Sequence, residues 1–297
     1  MRFKIDGEFL IPADSSGRAV MREHLLAKHP SLDVTTYARS ILSREIEGFG
    51  IGEGGRYILI VAAHHALETI STNIAFLLID LLCHGRKVGR INGKDCKLLL
   101  TKYRFIVLPC VNPDGVELRY HGADESPLKD RLVRMSGADF SRWQANARGV
   151  DLNHNYDAGF MEYKRMEAAM ELTCGASLYS GEYPESEPEV RGVASLVRPL
   201  MPSAVVSLHT QGEEIFFSPR DRRCRHRAER IAAEIGYAVA TPEGTAAYGG
   251  LCDYSGSLGI PSFTLELGKG HNPLSESDIP SIFARVGATL ATLPTIL

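Results

Sequence analysis

The residues with the clearest capacity for chemistry stand at the end of an apolar run. Ile58-Leu59-Ile60-Val61-Ala62-Ala63 stops abruptly at His64-His65, and Glu68 follows three residues after the second imidazole. The run reads as a buried strand and the residues after it as a helix. A first helical turn brings positions i and i+3 to one side. Neutral imidazole and carboxylate are ordinary zinc ligands, so His65 and Glu68 make half of a possible metal site, although a capped helix start with a hydrogen-bonded histidine explains them equally well. The motif alone is weak, because the chain carries a second H-x-x-E, His226-Arg227-Ala228-Glu229, in a charged helical pattern that reads as a solvated face.

Two further strands end in the same residue types. Ala204-Val205-Val206-Ser207-Leu208-His209-Thr210 closes on a histidine, and Ile260 to Leu267 carries one carboxylate, Glu266, amid apolar residues. A carboxylate in such a run is costly unless paired or functional. A catalytic zinc site takes three protein ligands and leaves one position open. Two histidines and a glutamate meet that count, and a separate glutamate beside them can act as general base.

The elements that must position these groups alternate along the chain. Residues 16–28 read as a surface helix capped by Ser15 or Ser16, with His24 and His29 as solvated neighbours. Residues 43–51 alternate polar and apolar, as an antiparallel or edge strand does. Strand 57–63 and a helix from about Leu67 to Cys83 follow. Arg104 to Pro109 is another buried strand, running into Asn112-Pro113-Asp114-Gly115, which is turn chemistry. Residues 120–147 are polar and read as a long ordered loop. Residues 143–157 are dense in hydrogen-bonding groups, as a site lining is. Ser186-Glu187-Pro188-Glu189 opens a helix reaching about Leu200, with Ser186 as its cap. Strand 214–217, helix 222–236, a glycine-rich loop at 244–250 and a closing helix at 278–291 complete the pattern. The α/β alternation from end to end predicts one domain, 1–297, built on one mixed sheet with helices on both faces. Residues 1–50 supply its N-terminal helix and edge strand.

Composition narrows the classes. The chain has 297 residues, of which 44% are hydrophobic and 23% charged, the balance of a protein with a sizeable core. A formal charge of −3 offers no basic excess for nucleic acid and no acidic tract. The N-terminus lacks the apolar core of a signal peptide, and Ile74 to Cys83 contains Asp80 and is too short to cross a bilayer. The expectation is therefore a cytoplasmic protein without a membrane span, whose six scattered cysteines are free thiols. Its oligomeric state is left open.

Read together, the pieces resemble the zinc carboxypeptidase family, the carboxypeptidase A-like metallopeptidases. His65-Ala66-Leu67-Glu68 resembles the family's H-x-x-E zinc motif, and Asn112-Pro113-Asp114-Gly115 the N-P-D-G turn after it. Arg148-Gly149-Val150-Asp151-Leu152-Asn153 is similar to the R-G-V-D-L-N segment of bacterial members. Ser207-Leu208-His209-Thr210 resembles the strand of the third ligand. Gly249-Gly250 through Asp253-Tyr254, and Phe263 to Leu267, resemble the pocket loop and the strand of the catalytic glutamate. The resemblance spans residues 65–267. It implies an α/β/α sandwich around a mixed, mainly parallel eight-stranded sheet. It implies one zinc per chain, held by His65, Glu68 and His209, with Glu266 as the base for the attacking water.

The departures from the family pattern bear on substrate. Digestive members have arginine where this chain has Leu67, and arginine after the asparagine of the V-D-x-N segment, where this chain has His154. Imidazole cannot make arginine's bidentate fork to a carboxylate, although Asn153 is kept as a donor. Gln144 follows Trp143 where the oxyanion arginine is expected, which leaves Arg148 as the nearest candidate for that role. Tyr248 is the candidate for the tyrosine that closes over substrate. Cys252 and Asp253 match the region that sets side-chain preference, with Asp253 able to face an amino group. Bacterial members of this kind resemble γ-D-glutamyl-diaminopimelate peptidases, so a muropeptide is the leading expected substrate, in a recycling role. The alternatives are an ordinary metallocarboxypeptidase acting on α-peptides, a small-molecule amide hydrolase, and a non-catalytic zinc-binding protein.

Overall fold

The computed structural model describes residues 4–85, 93–219 and 222–297. Eight strands form one sheet: β1 (Asp33–Arg39), β2 (Glu45–Ile51), β3 (Arg56–Ala62), β4 (Tyr103–Leu108), β5 (Ala204–His209), β6 (Glu214–Phe217), β7 (Ala238–Ala240) and β8 (Ser262–Glu266). Their order across the sheet is β1-β2-β4-β3-β5-β8-β6-β7. The pairs β3–β4, β3–β5, β5–β8 and β6–β7 are parallel; β1–β2, β2–β4 and β6–β8 are antiparallel. The helices are α1 (Ser15–Lys28), α2 (Ile70–His84), α3 (Gly93–Lys102), α4 (Pro113–His121), α5 (Lys129–Ser136), α6 (Phe160–Ala169), α7 (Pro188–Leu200), α8 (Arg222–Ile235), α9 (Leu251–Ser257) and α10 (Ile279–Ala291).

Successive side chains on a strand face opposite sides, and β3 shows how that builds two cores. Ile58, Ile60 and Ala62 join a core with α2, α8 and α10, while Leu59 and Val61 join another with α7 and α9. The expected α/β/α sandwich on a mixed eight-stranded sheet is therefore what the chain forms. From β3 the chain crosses to β4 on one side, whereas β5 leads toward β8 on the other. The crevice beyond the carboxyl ends of β3 and β5 is thus the switch point where open α/β sheets take ligands.

Several local expectations are corrected. Asp14 caps α1, its Oδ1 accepting from Gly17 N at 2.8 Å; a carboxylate one residue earlier than Ser15 reaches the free amides. Glu187 takes the N-cap position of α7, and Ser186 instead donates to its carboxylate at 2.9 Å. The strand at 45–51 is antiparallel but interior, because β1 covers it. His24 and His29 are only partly exposed and lie 3.0 Å from Asp6 and 2.8 Å from Asp80. Residues 120–147 are not one loop: α5 lies within them, and Leu118, Leu132, Phe140 and Trp143 build a small core of their own. These few apolar residues follow no period, so periodicity misses them. Asn112 to Gly115 starts a helix. Asn112 Oδ1 accepts from Gly115 N at 3.0 Å, and a Cβ on Gly115 would come within 2.3 Å of Ala145 O. Gly115→Ala is expected to cost about 1–3 kcal/mol through that backbone clash, read as a lower midpoint in urea unfolding.

At the start of α7, Glu189 is wholly buried, accepting from Ile41 N at 3.2 Å. Burial pushes its carboxyl up to about 8, and the nearby carboxylates of Glu187 and Asp114 push the same way. The fold therefore prefers the neutral acid. Its contribution to stability is full below the ordinary value of 4.5 and is lost as pH rises through 8. Glu189→Gln keeps the shape without the ionisation. Its melting temperature relative to the native chain is expected to climb by several degrees between about pH 4.5 and pH 9. Parallel melting profiles would refute this.

Candidate metal centre and active site

The chain leaves β3 through Ala63, whose φ of 55° is left-handed. His65 and Glu68 then lie in a tight turn, with Glu68 N donating to His65 O at 3.1 Å, before α2 begins at Ile70. The expected first turn of helix is thus a separate turn, and it still brings the two side chains together. His65 Nδ1 stands 2.9 Å from Glu68 Oε1. His209, at the end of β5, points its Nδ1 to 3.0 Å from Glu68 Oε2 and 3.3 Å from His65 Nδ1. Thr210 N holds Glu68 Oε2 at 3.2 Å. Atoms 2.0–2.1 Å from a tetrahedral zinc lie roughly 3.3 Å apart. The donor set, two imidazole nitrogens and a carboxylate converging at 2.9–3.3 Å, fits zinc.

The remaining nitrogen of each ring faces a protein oxygen, for His65 as a close ion-pair contact and for His209 as a hydrogen bond. Asp151 Oδ1 lies 3.2 Å from His65 Nε2, and its Oδ2 accepts from Leu178 N at 3.1 Å. Ser207 Oγ lies 2.9 Å from His209 Nε2. Such partners fix the ring orientation of metal-binding histidines. Burial opposes the charge on Asp151, but His65 beside it and the Leu178 amide outweigh that and keep the carboxyl below its usual range. Glu68 behaves likewise: burial raises it, and His65 and His209 bring it down. Neither Asp151 nor Ser207 stood out as a positioning group in the sequence. The available signal was that Ser207 is two residues from His209, hence on the same face of its strand.

Glu266 ends β8 directly beside His209 in the parallel register. It lines a cleft of about 240 Å³ together with His65, His209, Asn153, His154, Cys252 and Asp253. In the centre without its metal, burial first and the Glu68 charge second push its carboxyl up to about 8; a bound zinc would act in the opposite sense. Cys252 is raised to about 12 by burial, so it stands here as a neutral thiol, not a nucleophile. Asn153 Oδ1 accepts from Leu251 N at 3.2 Å, which leaves its amide NH2 as a donor.

Two expected residues are placed elsewhere. Arg148 lines a neighbouring cleft with Arg131, Tyr179, Tyr183 and Glu187, its guanidinium 3.8 Å from Glu187. The geometry does not bring it to the oxyanion side of this centre. The Tyr248 ring packs over Gly159, where a Cβ would come within 2.6 Å of its Cδ1. Its carbonyl instead accepts from His154 Nδ1 at 3.0 Å. Tyr163, which the sequence did not single out, stacks on His154 with ring centroids 4.1 Å apart. Leu67 is fully buried. His226 and Glu229 are exposed on α8, as expected.

This fold and donor set define a zinc metallopeptidase, and comparison with known proteins agrees. The profile of the zinc carboxypeptidase family matches residues 19–284, and the chain belongs to that family, whose members use one catalytic zinc. It is 32% identical over 279 residues to gamma-D-glutamyl-L-diamino acid endopeptidase 1 of Lysinibacillus sphaericus, covering 91% of this chain and 69% of that protein. It is 30% identical to murein peptide amidase A of Escherichia coli (strain K12) over 179 residues, 58% of this chain and 57% of that one. Among solved structures, bovine thrombin-activatable fibrinolysis inhibitor superposes with a TM-score of 0.74 at 20% identity, covering 97% of both chains. That last likeness concerns the fold alone.

Zinc content near one per chain is expected for the native protein and close to zero for His209→Ala. Asp151→Asn is expected to weaken zinc 10–100-fold, as loss of a partner behind a metal ligand does, in competition with a chromophoric chelator.

Proposed function

We propose that this peptidase cleaves a γ-glutamyl amide bond in peptidoglycan-derived peptides, releasing or exposing a diamino acid. The observation that carries this reading is the state of His154. Its Nδ1 is committed to the Tyr248 carbonyl, and burial pushes the ring below its ordinary value. The ring lines the cleft, and with its proton on Nδ1 a neutral imidazole keeps Nε2 bare as a hydrogen-bond acceptor. An acceptor suits an amino or amide N–H of substrate and is a poor partner for the C-terminal carboxylate that an α-peptide carboxypeptidase must hold. The likeness to the Lysinibacillus endopeptidase and the murein amidase supports the same substrate class. Asp253, in the same cleft, fits the amino group of a diamino acid side chain.

His65, Glu68 and His209 would hold the zinc, which when bound would supply Lewis-acid activation. Glu266 takes a proton from the attacking water and delivers it to the leaving nitrogen. Asn153 donates to an oxygen of the substrate, and the elements behind the ligands keep them from moving as charge develops.

Glu266→Gln is expected to lower hydrolysis by about 10²–10⁴ with zinc content unchanged. Full activity in that variant would refute the assignment of the base. The substrate class is tested by comparing kcat/KM for a γ-D-glutamyl-diaminopimelate peptide with that for hippuryl amino acids. A preference of about tenfold or more for the former is expected, and the reverse preference would favour ordinary C-terminal trimming. His154→Arg is expected to shift the ratio toward hippuryl substrates by restoring a carboxylate fork.

A further inference from the structure

Behind His209 runs a buried chain of hydrogen bonds that the catalytic scheme does not use. His209 Nε2 lies 2.9 Å from Ser207 Oγ, Ser207 Oγ lies 3.3 Å from His64 Nδ1, and His64 Nε2 lies 2.9 Å from Tyr156 Oη. All four residues are at most 1% exposed. The His64 and His209 rings are parallel within 9°.

The direction of this chain decides whether a cation can bind. His209 faces Glu68 and His65 through Nδ1, so Nδ1 must be bare to act as a ligand. A neutral imidazole then carries its proton on Nε2, which donates to Ser207. The Ser207 hydroxyl turns its own proton to the other partner in reach, His64 Nδ1. His64 accepts there, carries its proton on Nε2 and donates to Tyr156. The opposite direction, from Tyr156 through His64 and Ser207, ends with a proton on His209 Nδ1 aimed at Glu68, and that arrangement excludes the metal.

We propose that His64 is a positioning residue for the metal centre: by accepting from Ser207 it holds His209 in the tautomer whose Nδ1 is free for zinc. His65 has the Asp151 carboxylate for this task, whereas His209 depends on an uncharged relay of three residues. His64 is thus not merely a filler at the strand end.

The test has two parts. In the zinc-loaded native protein, ¹⁵N NMR of the imidazoles is expected to show His64 protonated at Nε2 and bare at Nδ1; a proton on Nδ1 overturns the proposal. Zinc affinity is then measured by chelator competition for His64→Phe, Ser207→Ala and the double variant. His64→Phe frees the Ser207 hydroxyl to donate to His209 and is expected to weaken zinc about 10–100-fold. The double variant is expected to bind zinc as Ser207→Ala alone does, because His64 acts through Ser207. An affinity in His64→Phe within about threefold of native, or additive losses in the double variant, overturns it. Where His64→Phe fails to fold, the native NMR result decides.

Discussion

The active site rests on the parallel register of β3, β5 and β8. Val61 pairs with Ser207 and Ala62 with Leu208, and His209 pairs with Glu266. Three chain segments far apart in sequence are thereby brought to one edge of the sheet, each delivering its chemical group at the strand end or in the turn beyond. Because side chains alternate, a slip of one residue on β5 would exchange Ser207 and His209 for Leu208 on the site-facing side. The two buried cores prevent that slip: Ile58, Ile60 and Ala62 pack one way, and Leu59 and Val61 the other. The apolar pattern that stabilises the sheet also sets the geometry of the metal centre.

Around this frame several buried polar side chains tie loops to the strand ends and to one another. Asn112 Nδ2 donates to His64 O at 2.9 Å and lies 3.2 Å from Gln144 O and Ala145 O, clamping the segment before Arg148 onto the turn that carries His65. Asp114 holds Ser40, Leu42 and Arg44. Asn155 donates to Ser180 O and Ser186 Oγ. Buried polar groups are costly unless bonded, so these segments are held in one arrangement, which is the condition for a preorganised site.

The carboxylates of the centre are divided by their surroundings. In the centre without its metal, Glu68 and Asp151 are brought down by the groups beside them, His65 foremost, against the effect of burial. Glu266 has burial and the Glu68 charge acting together and is driven upward. Ligand, orienting group and proton carrier are thus the same functional group in three environments, a separation of roles by environment alone.

The donor set, the main strands and the family were legible in the sequence, because apolar runs, strand-end residues and the H-x-x-E spacing are local patterns. The segment 143–157 was legible as a site lining for a similar reason: too few core residues for its hydrogen-bonding content. What only the tertiary structure decided are contacts between residues far apart in the chain. The carboxylate behind His65 and the relay from His209 to Tyr156 are of this kind. So are the turn of Arg148 into a neighbouring cleft and of Tyr248 onto Gly159, the covering of β2 by β1, and the small core around Trp143. Local spacing states which residues share a face. Which nitrogen of an imidazole faces a ligand, and what stands behind it, depends on three-dimensional packing that no period in the sequence records.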